Sequence, residues 1–193
     1  MRAIMKPSLA GKLLVASPTL ESPAFFRTVI AMLEHNDDGA LGLVLNRPGD
    51  ASLLEVVPPV AEIASAPAVL FSGGPVEPNV AIALGVVEAS AATTDLRTEA
   101  WRPVVGPLVT VDLDYDPALL AASLSELRVF AGYAGWSSGQ LEGEIEEGAW
   151  FVVERLPGDA FADFPDLLWS AVLRRQPWPL RAVADFPIDP TMN

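Results

Sequence analysis

The stretch Leu127 to Glu154, LRVFAGYAGWSSGQLEGEIEEGAWFVVE, constrains the fold more than any other part of the chain. Val129, Phe130 and Ala131 form a short apolar run that suits a central strand covered on both faces. Gly132, Gly135 and Gly139 follow at positions where positive φ or close backbone approach favours a missing Cβ, which predicts a turn over 132–139. Ser137 with Gln140 three residues on reads as a capping box that starts a helix. Leu141 and Ile145 share one face of that helix, and Glu142, Glu144, Glu146 and Glu147 fill the remainder before Gly148 stops it. Gly143 costs about 1 kcal/mol against alanine in a helix interior, and Glu142 repels Glu146, so tertiary packing has to hold the element. Trp150 to Val153 then returns as a strand.

Elsewhere, Leu13 to Val15 reads as a strand, and Ser22 with Pro23 as a single helical turn. Val29 to Leu33 and Leu41 to Leu45 form a hairpin around Asn36, Asp37, Asp38 and Gly39, residues that tolerate turn geometry. Asn46, Arg47 and Pro48 end it. Short helical pieces over Ser52–Val57 and Val60–Ala64 are interrupted by Pro58 and Pro59. Strands are expected at Ala68–Phe71, Val80–Leu84 and Leu108–Val111, with an irregular excursion over 89–103. Asp116 before Pro117 caps a helix through Leu124, and Phe164 to Arg175 forms another. The segment 176–193 carries four prolines and is expected to be extended. Strands that occur in adjacent pairs as well as between helices favour an α+β fold with a mixed sheet.

The 193 residues, 51% hydrophobic, are expected to form a single domain over 1–193 with a core at about 9–175. A net charge of −13 opposes binding to nucleic acid by phosphate neutralisation, so direct DNA association is not expected beyond the non-specific range. The absence of cysteine removes disulfides, thiolate metal sites and thiol catalysis. Lys12 interrupts any signal-like apolar run and no stretch is long enough to span a bilayer, which gives a cytoplasmic expectation.

GKLLVASPTLESPAFFRTVIAMLEH, GALGLVLNRP, FSGGPV and GYAGWSSGQLEGEIEEGAW, in this order and spacing, resemble the AlgH/YqgE family of bacterial proteins over roughly residues 9 to 175. The resemblance implies an α+β domain whose bent sheet closes into a pseudo-barrel flanked by short helices. It also implies a largely uncharacterised family, some of whose members are labelled transcriptional regulators. Where the family often shows Leu-His after Gly-Gly-Pro-Val, this chain has Leu84 and Gly85, so no role for that histidine carries over.

Gly135, Trp136, Ser137, Ser138 and Gly139 spell G-x-S-x-G between a strand and a helix, the context of a nucleophile elbow. The sole histidine, His35, lies upstream rather than downstream of the serine, and a helix-capping role for Ser137 competes with hydrolysis. Asp112, Asp114 and Asp116 form D-x-D-x-D, but Pro117 and Ser123 occupy the positions where a calcium loop needs glycine and glutamate, so strand-end and cap chemistry competes with metal binding. His35 beside Asn36, Asp37 and Asp38 reads as turn chemistry before it reads as a metal site. Gly73, Gly74 and Pro75 lack the lysine of a phosphate loop. No metal or cofactor is expected.

The remaining polar and aromatic groups, Asn46, Arg47, Gly73, Gly74, Tyr133, Trp136, Gln140 and Glu142, are candidate ligand-binding residues because loops on a rigid sheet carry such groups. Arg47 facing Tyr133, Trp136 and Glu142 would accept a small anionic ligand, and the competing reading is that Trp136 plugs a barrel end while Arg47 neutralises Glu142. A non-enzymatic regulatory or ligand-binding protein, acting through a protein or small-molecule partner, is the functional expectation. A serine hydrolase using Ser137 is the alternative.

Overall fold

Residues 7–88 and 99–187 are described by a computed structural model. In chain order the elements are β1 (Leu13–Ala16), β2 (Val29–Asn36), β3 (Gly39–Val44), β4 (Pro48–Ser52), α1 (Leu53–Val56), α2 (Pro58–Ala61), β5 (Val69–Ser72), β6 (Val76–Val87), β7 (Trp101–Val105), β8 (Leu108–Val111), α3 (Pro117–Ser123), β9 (Leu124–Ser137), α4 (Gln140–Glu146), β10 (Trp150–Val153) and α5 (Leu168–Arg174). The strands form one mixed, curled sheet in the order β10-β1-β2-β3-β9-β6-β8-β7, a half-barrel with short helices. β4 pairs with β5, which in turn runs parallel to β9. Among the described residues no helix is long and apolar enough to cross a membrane.

Local chemistry explains several elements. The β2–β3 hairpin closes through Asp37 and Asp38, where Asn36 Oδ1 accepts the Asp38 N–H at 2.8 Å and the pairing ends at Asn36 with Gly39. Asp116 caps α3 by accepting the Ala118 N–H at 2.8 Å, with Pro117 at the first helical position. Asp112 accepts the Asp114 N–H at 2.9 Å, so D-x-D-x-D is spent on a turn followed by a cap.

Three apolar clusters partition the sheet. Leu13, Val15, Leu43, Phe71 and Phe130 fill the concave side, which α5 plugs with Leu168, Trp169, Val172 and Leu173. On the convex side, α1, α2 and α3 cover Val129, Leu127 and Val111, while Trp136, Leu141 and Trp150 pack over Leu14, Ile30 and Met32. A Cβ on Gly11 would lie 2.6 Å from the Val105 side chain, so the start of β1 approaches β7, the last strand in the sheet order.

Of the segment Gly132–Gly139, residues 132–137 are strand, and the turn is confined to Ser138 and Gly139. β9 runs unbroken for 14 residues, pairs with β6 along one edge, and on the other edge meets β5 and then β3. The glycines serve a backbone crossing. A Cβ on Gly73 would sit 2.3 Å from Gly132 O, and one on Gly74 would sit 2.2 Å from the Tyr133 carbonyl carbon. Gly73 and Gly74 therefore act by close approach of two chains. Ser137 is the last residue of β9 and the N-cap of α4 is Gly139, in the left-handed conformation at φ 74°; of the expected capping box only the reach of Gln140 back to the Ser137 N–H is present.

Other boundaries also shift. β4, and β7, which begins at the end of the expected excursion, are strands where none was expected, and residues 89–98 of that excursion lie outside the described residues. Strand Val80–Leu84 grows to Val76–Val87 because β9 pairs with it at Val76 and again from Ala81 to Val87, with an irregularity between. The segment expected to be extended contains a 3₁₀ helix, Leu180–Asp185, because Leu180, Val183 and Ala184 reach the α5 side of the core. Residues 188–193 lie outside the described residues.

Arg128, 1% exposed within β9, is a charged side chain at a core position. Its guanidinium donates to the carbonyls of Ala66 (2.6 Å), Ala160 (3.1 Å) and Ala162 (3.2 Å), and its centre lies 4.4 Å from the Phe71 ring centroid. Burial pushes its pKa down to about 10, against the opposing pull of Glu126 and Asp163, so it remains cationic at neutral pH.

Candidate functional site

The connection between β1 and β2 makes one helical turn, Phe26 N–H donating to Ser22 O at 2.8 Å, and then reverses at Arg27. Arg27 has φ 52°, in the left-handed region. A non-glycine residue there costs on the order of 1–3 kcal/mol unless its surroundings over-determine it. They do. Asn46 Nδ2 donates to Arg27 O at 2.9 Å while its Oδ1 accepts the Val29 N–H at 2.9 Å. Arg47 donates to Phe26 O and, at 3.3 Å, to Asn46 O, and Thr28 Oγ1 donates to Phe25 O at 2.8 Å. The polar pair at the end of β3 thus braces a turn, and burial lowers the Arg47 pKa against the pull of Asp166.

Three consecutive side chains leave this turn in different directions. Phe25 stacks on Trp136 at 6.4 Å and meets Trp150 edge-on at 5.5 Å. Phe26 enters the wall of a pocket of about 380 Å³. The Arg27 guanidinium stacks over Trp169 at 4.3 Å and donates to Phe186 O. Pro18, Leu20, Phe26, Phe186 and Pro187 give the pocket apolar walls, and Thr19, Glu21 and Arg27 are its polar groups. Burial alone depresses the Arg27 pKa, and among the described residues no carboxylate lies within ion-pair distance of it. An apolar pocket with few polar groups, one of them a partly buried cation, is the general form of a small-molecule site.

A second arrangement surrounds α4. Glu144 Oε2 accepts the indole N–H groups of Trp136 and Trp150, both at 2.8 Å, and Glu144 Oε1 accepts from Gln140 Nε2 at 2.9 Å. Gln140 Oε1 accepts the Ser137 backbone N–H at 3.1 Å and lies 3.2 Å from the Ser137 hydroxyl. Glu142 Oε1 lies 3.3 Å from His35 Nε2, and His35 Nδ1 accepts the Leu9 N–H at 3.1 Å. Beside α4 is a cleft of about 490 Å³ lined by Asn36, Asp37, Ser138, Gly139, Glu142, Gly143 and Glu146, with no cationic group among the described residues.

The shared site expected of Arg47, Tyr133, Trp136 and Glu142 is not assembled. Tyr133 packs toward the concave cluster, Trp136 belongs to the convex one, Glu142 faces His35 and Arg47 is held by backbone carbonyls. A strand does run into a helix at Ser137, but Ser137 lacks the left-handed backbone of a nucleophile elbow, its hydroxyl lies beside Gln140 Oε1, and both His35 ring nitrogens face other groups. Glu144 and Arg27 escaped the sequence reading. A glutamate four residues after Gln140 between two tryptophans was the available signal for the first. For the second it was the polar residue ending an apolar turn, FFR.

A family model described as AlgH-like matches residues 13–181 of the chain. A UPF0301 protein of Streptomyces coelicolor is 47% identical over 186 residues, covering 96% of each chain. One of Mycobacterium tuberculosis is 46% identical over 184 residues, covering 95% of this chain and 90% of its own. The crystal structure of a protein from Corynebacterium diphtheriae superposes with a TM-score of 0.84 at 34% identity, covering 94% of this chain and 93% of that one. The solution structure of AlgH from Pseudomonas aeruginosa does so with a TM-score of 0.64 at 29% identity, covering 90% and 91% respectively. With the family model spanning the half-barrel from β1 to the 3₁₀ helix after α5, and relatives of this identity over nearly the whole length, the chain belongs to the AlgH-like family of UPF0301 proteins, whose function is uncharacterised.

Proposed function

We propose that this protein binds a small molecule without transforming it, and that the binding site is the pocket beside Arg27. The observation that supports this reading is the left-handed Arg27 itself. A turn held in a costly conformation by a buried amide and a second arginine presents an aromatic ring and a cation to one cavity. Strain of this kind persists where function needs a fixed geometry. A regulatory role, the reading attached to some relatives by resemblance, would then act through pocket occupancy. The net charge of −13 gives no basis for direct contact with DNA phosphates.

Amide-resolved NMR of the full chain against a fragment mixture containing neutral, anionic and cationic aromatic compounds tests the reading. Shift changes are expected to gather at Thr19, Leu20, Glu21, Arg27 and Phe186. Binding mapped to the α4 cleft, or no binding at millimolar fragment, would remove the pocket as the site.

A further inference from the structure

We infer that the Arg27 pocket selects organic monocarboxylates, molecules with an apolar body and one carboxylate, whose anion takes over the guanidinium edge now hydrogen-bonded to the carbonyl of Phe186. The inference rests on reading this pocket as the ligand site.

Three observations carry it. One face of the Arg27 guanidinium is covered by the Trp169 ring at 4.3 Å, which leaves the planar edge as its route for hydrogen bonding. Among the described residues that edge makes one hydrogen bond, to a neutral acceptor, Phe186 O. Arginine carries five N–H donors in a fixed fork that matches a carboxylate bidentately, and charge-assisted bonds are about twice as strong as neutral ones, so a carboxylate displaces a carbonyl favourably. Finally, the walls formed by Leu20, Phe26, Phe186 and Pro187 are apolar, and about 380 Å³ accommodates a small aromatic or branched aliphatic body.

Glu21 sets the charge of the ligand. Its exposed carboxylate borders the same pocket, so each additional negative charge on a ligand meets a like charge there. A single carboxylate gains the guanidinium with the smallest penalty; inorganic phosphate lacks the apolar body and on average carries more than one negative charge at neutral pH. Displacement of the Phe186 carbonyl also ties occupancy to the backbone that follows the Leu180–Asp185 helix.

Calorimetric or NMR titration of the full chain with 3-phenylpropanoate and its amide, 3-phenylpropanamide, provides the test. The acid is expected to bind at least about tenfold more tightly, the margin a charge-assisted pair gives over a neutral one. Glu21→Gln should tighten the acid and leave the amide unchanged; Arg27→Gln should abolish the preference and Arg27→Lys should keep part of it. Equal affinity for acid and amide would overturn the inference while leaving the pocket reading intact. So would phosphate binding as tightly as the acid. If neither probe binds, the carboxylate assignment falls, and the fragment map decides the pocket separately. Should Arg27→Gln fail to fold, the acid–amide ratio of the unmodified protein and the Glu21→Gln variant still decide the matter.

Discussion

Removing the Asn46 amide should unlatch the Arg27 turn. The side chain is 2% exposed and makes two hydrogen bonds, to Arg27 O and from Val29 N–H, both at 2.9 Å. Asn46→Ala leaves the Val29 N–H, inside the fully buried start of β2, without a partner, together with a half-buried carbonyl. A buried group stripped of its partner costs about 1–3 kcal/mol, and the carbonyl can recover water more easily, so the sum is about 2–4 kcal/mol. For a chain of this size each kcal/mol moves Tm by about 2–4 °C, which gives a drop of roughly 4–16 °C. Urea denaturation followed by far-UV circular dichroism measures the free energy, and calorimetry measures Tm. The acid–amide preference should shrink in the same variant, because the left-handed turn that aims Arg27 is no longer held. A stability change under about 0.5 kcal/mol, the scale of a surface substitution, would refute the reasoning that this amide braces the turn.

Glu144→Gln replaces a charged acceptor of two indole N–H groups by a neutral one and sets an amide against Gln140 Nε2, so a loss of about 1–3 kcal/mol is expected in urea denaturation; an unchanged midpoint would contradict it. Arg128→Met removes a cation whose pKa depression from 12.5 to about 10 corresponds to a cost of roughly 3 kcal/mol, yet strips three carbonyls of their donor at about 1–3 kcal/mol each. The variant should be less stable by roughly 2–4 kcal/mol at neutral pH, and a variant more stable than the parent would show that the carbonyls find other partners. Because the folded pKa lies below the unfolded one, the unfolded chain binds more protons, and the parent's advantage over this variant should widen as pH climbs above about 10.

What could be read from the sequence was local. The hairpin at Asn36–Gly39, the Asp116–Pro117 helix start and the apolar runs of β1 and β10 all carry their causes within a few residues. Gly132 was legible as a special backbone position but not as a crossing, because the atoms that demand it belong to Gly74 and Val76. Ser137 closes a strand for a related reason: pairing with Gly39 extends β9 past the point where local turn chemistry would end it, while its local contact with Gln140 was legible. Asn46 and Arg47 were recognisable as unusual polar groups at a strand end, yet their partners lie at residues 26–29. The pocket joins residues 18–27 to residues 186 and 187, a proximity that exists only once α5 has plugged the half-barrel. Arg128 is the extreme case, a charge in an apolar run whose acceptors come from residues 66, 160 and 162.

The position of β9 also dictates when the chain can fold during synthesis. β3, β5 and β6 all pair with it, and β1 needs β10 as its outer neighbour, so of the early strands only β2 and β4 find their partners close by in the chain; β3 waits for β9, and β1 for β10, by which point about four-fifths of the polypeptide has been made. Until then the nascent chain carries the β1–β2–β3 meander, with two unpaired edges and apolar residues on both faces. At about 5–20 residues per second this interval lasts several seconds, long compared with the microseconds in which a hairpin forms. The early strands therefore emerge competent to pair with one another before the strand that would order them exists, and protecting those edges falls to the ribosome surface and to chaperones.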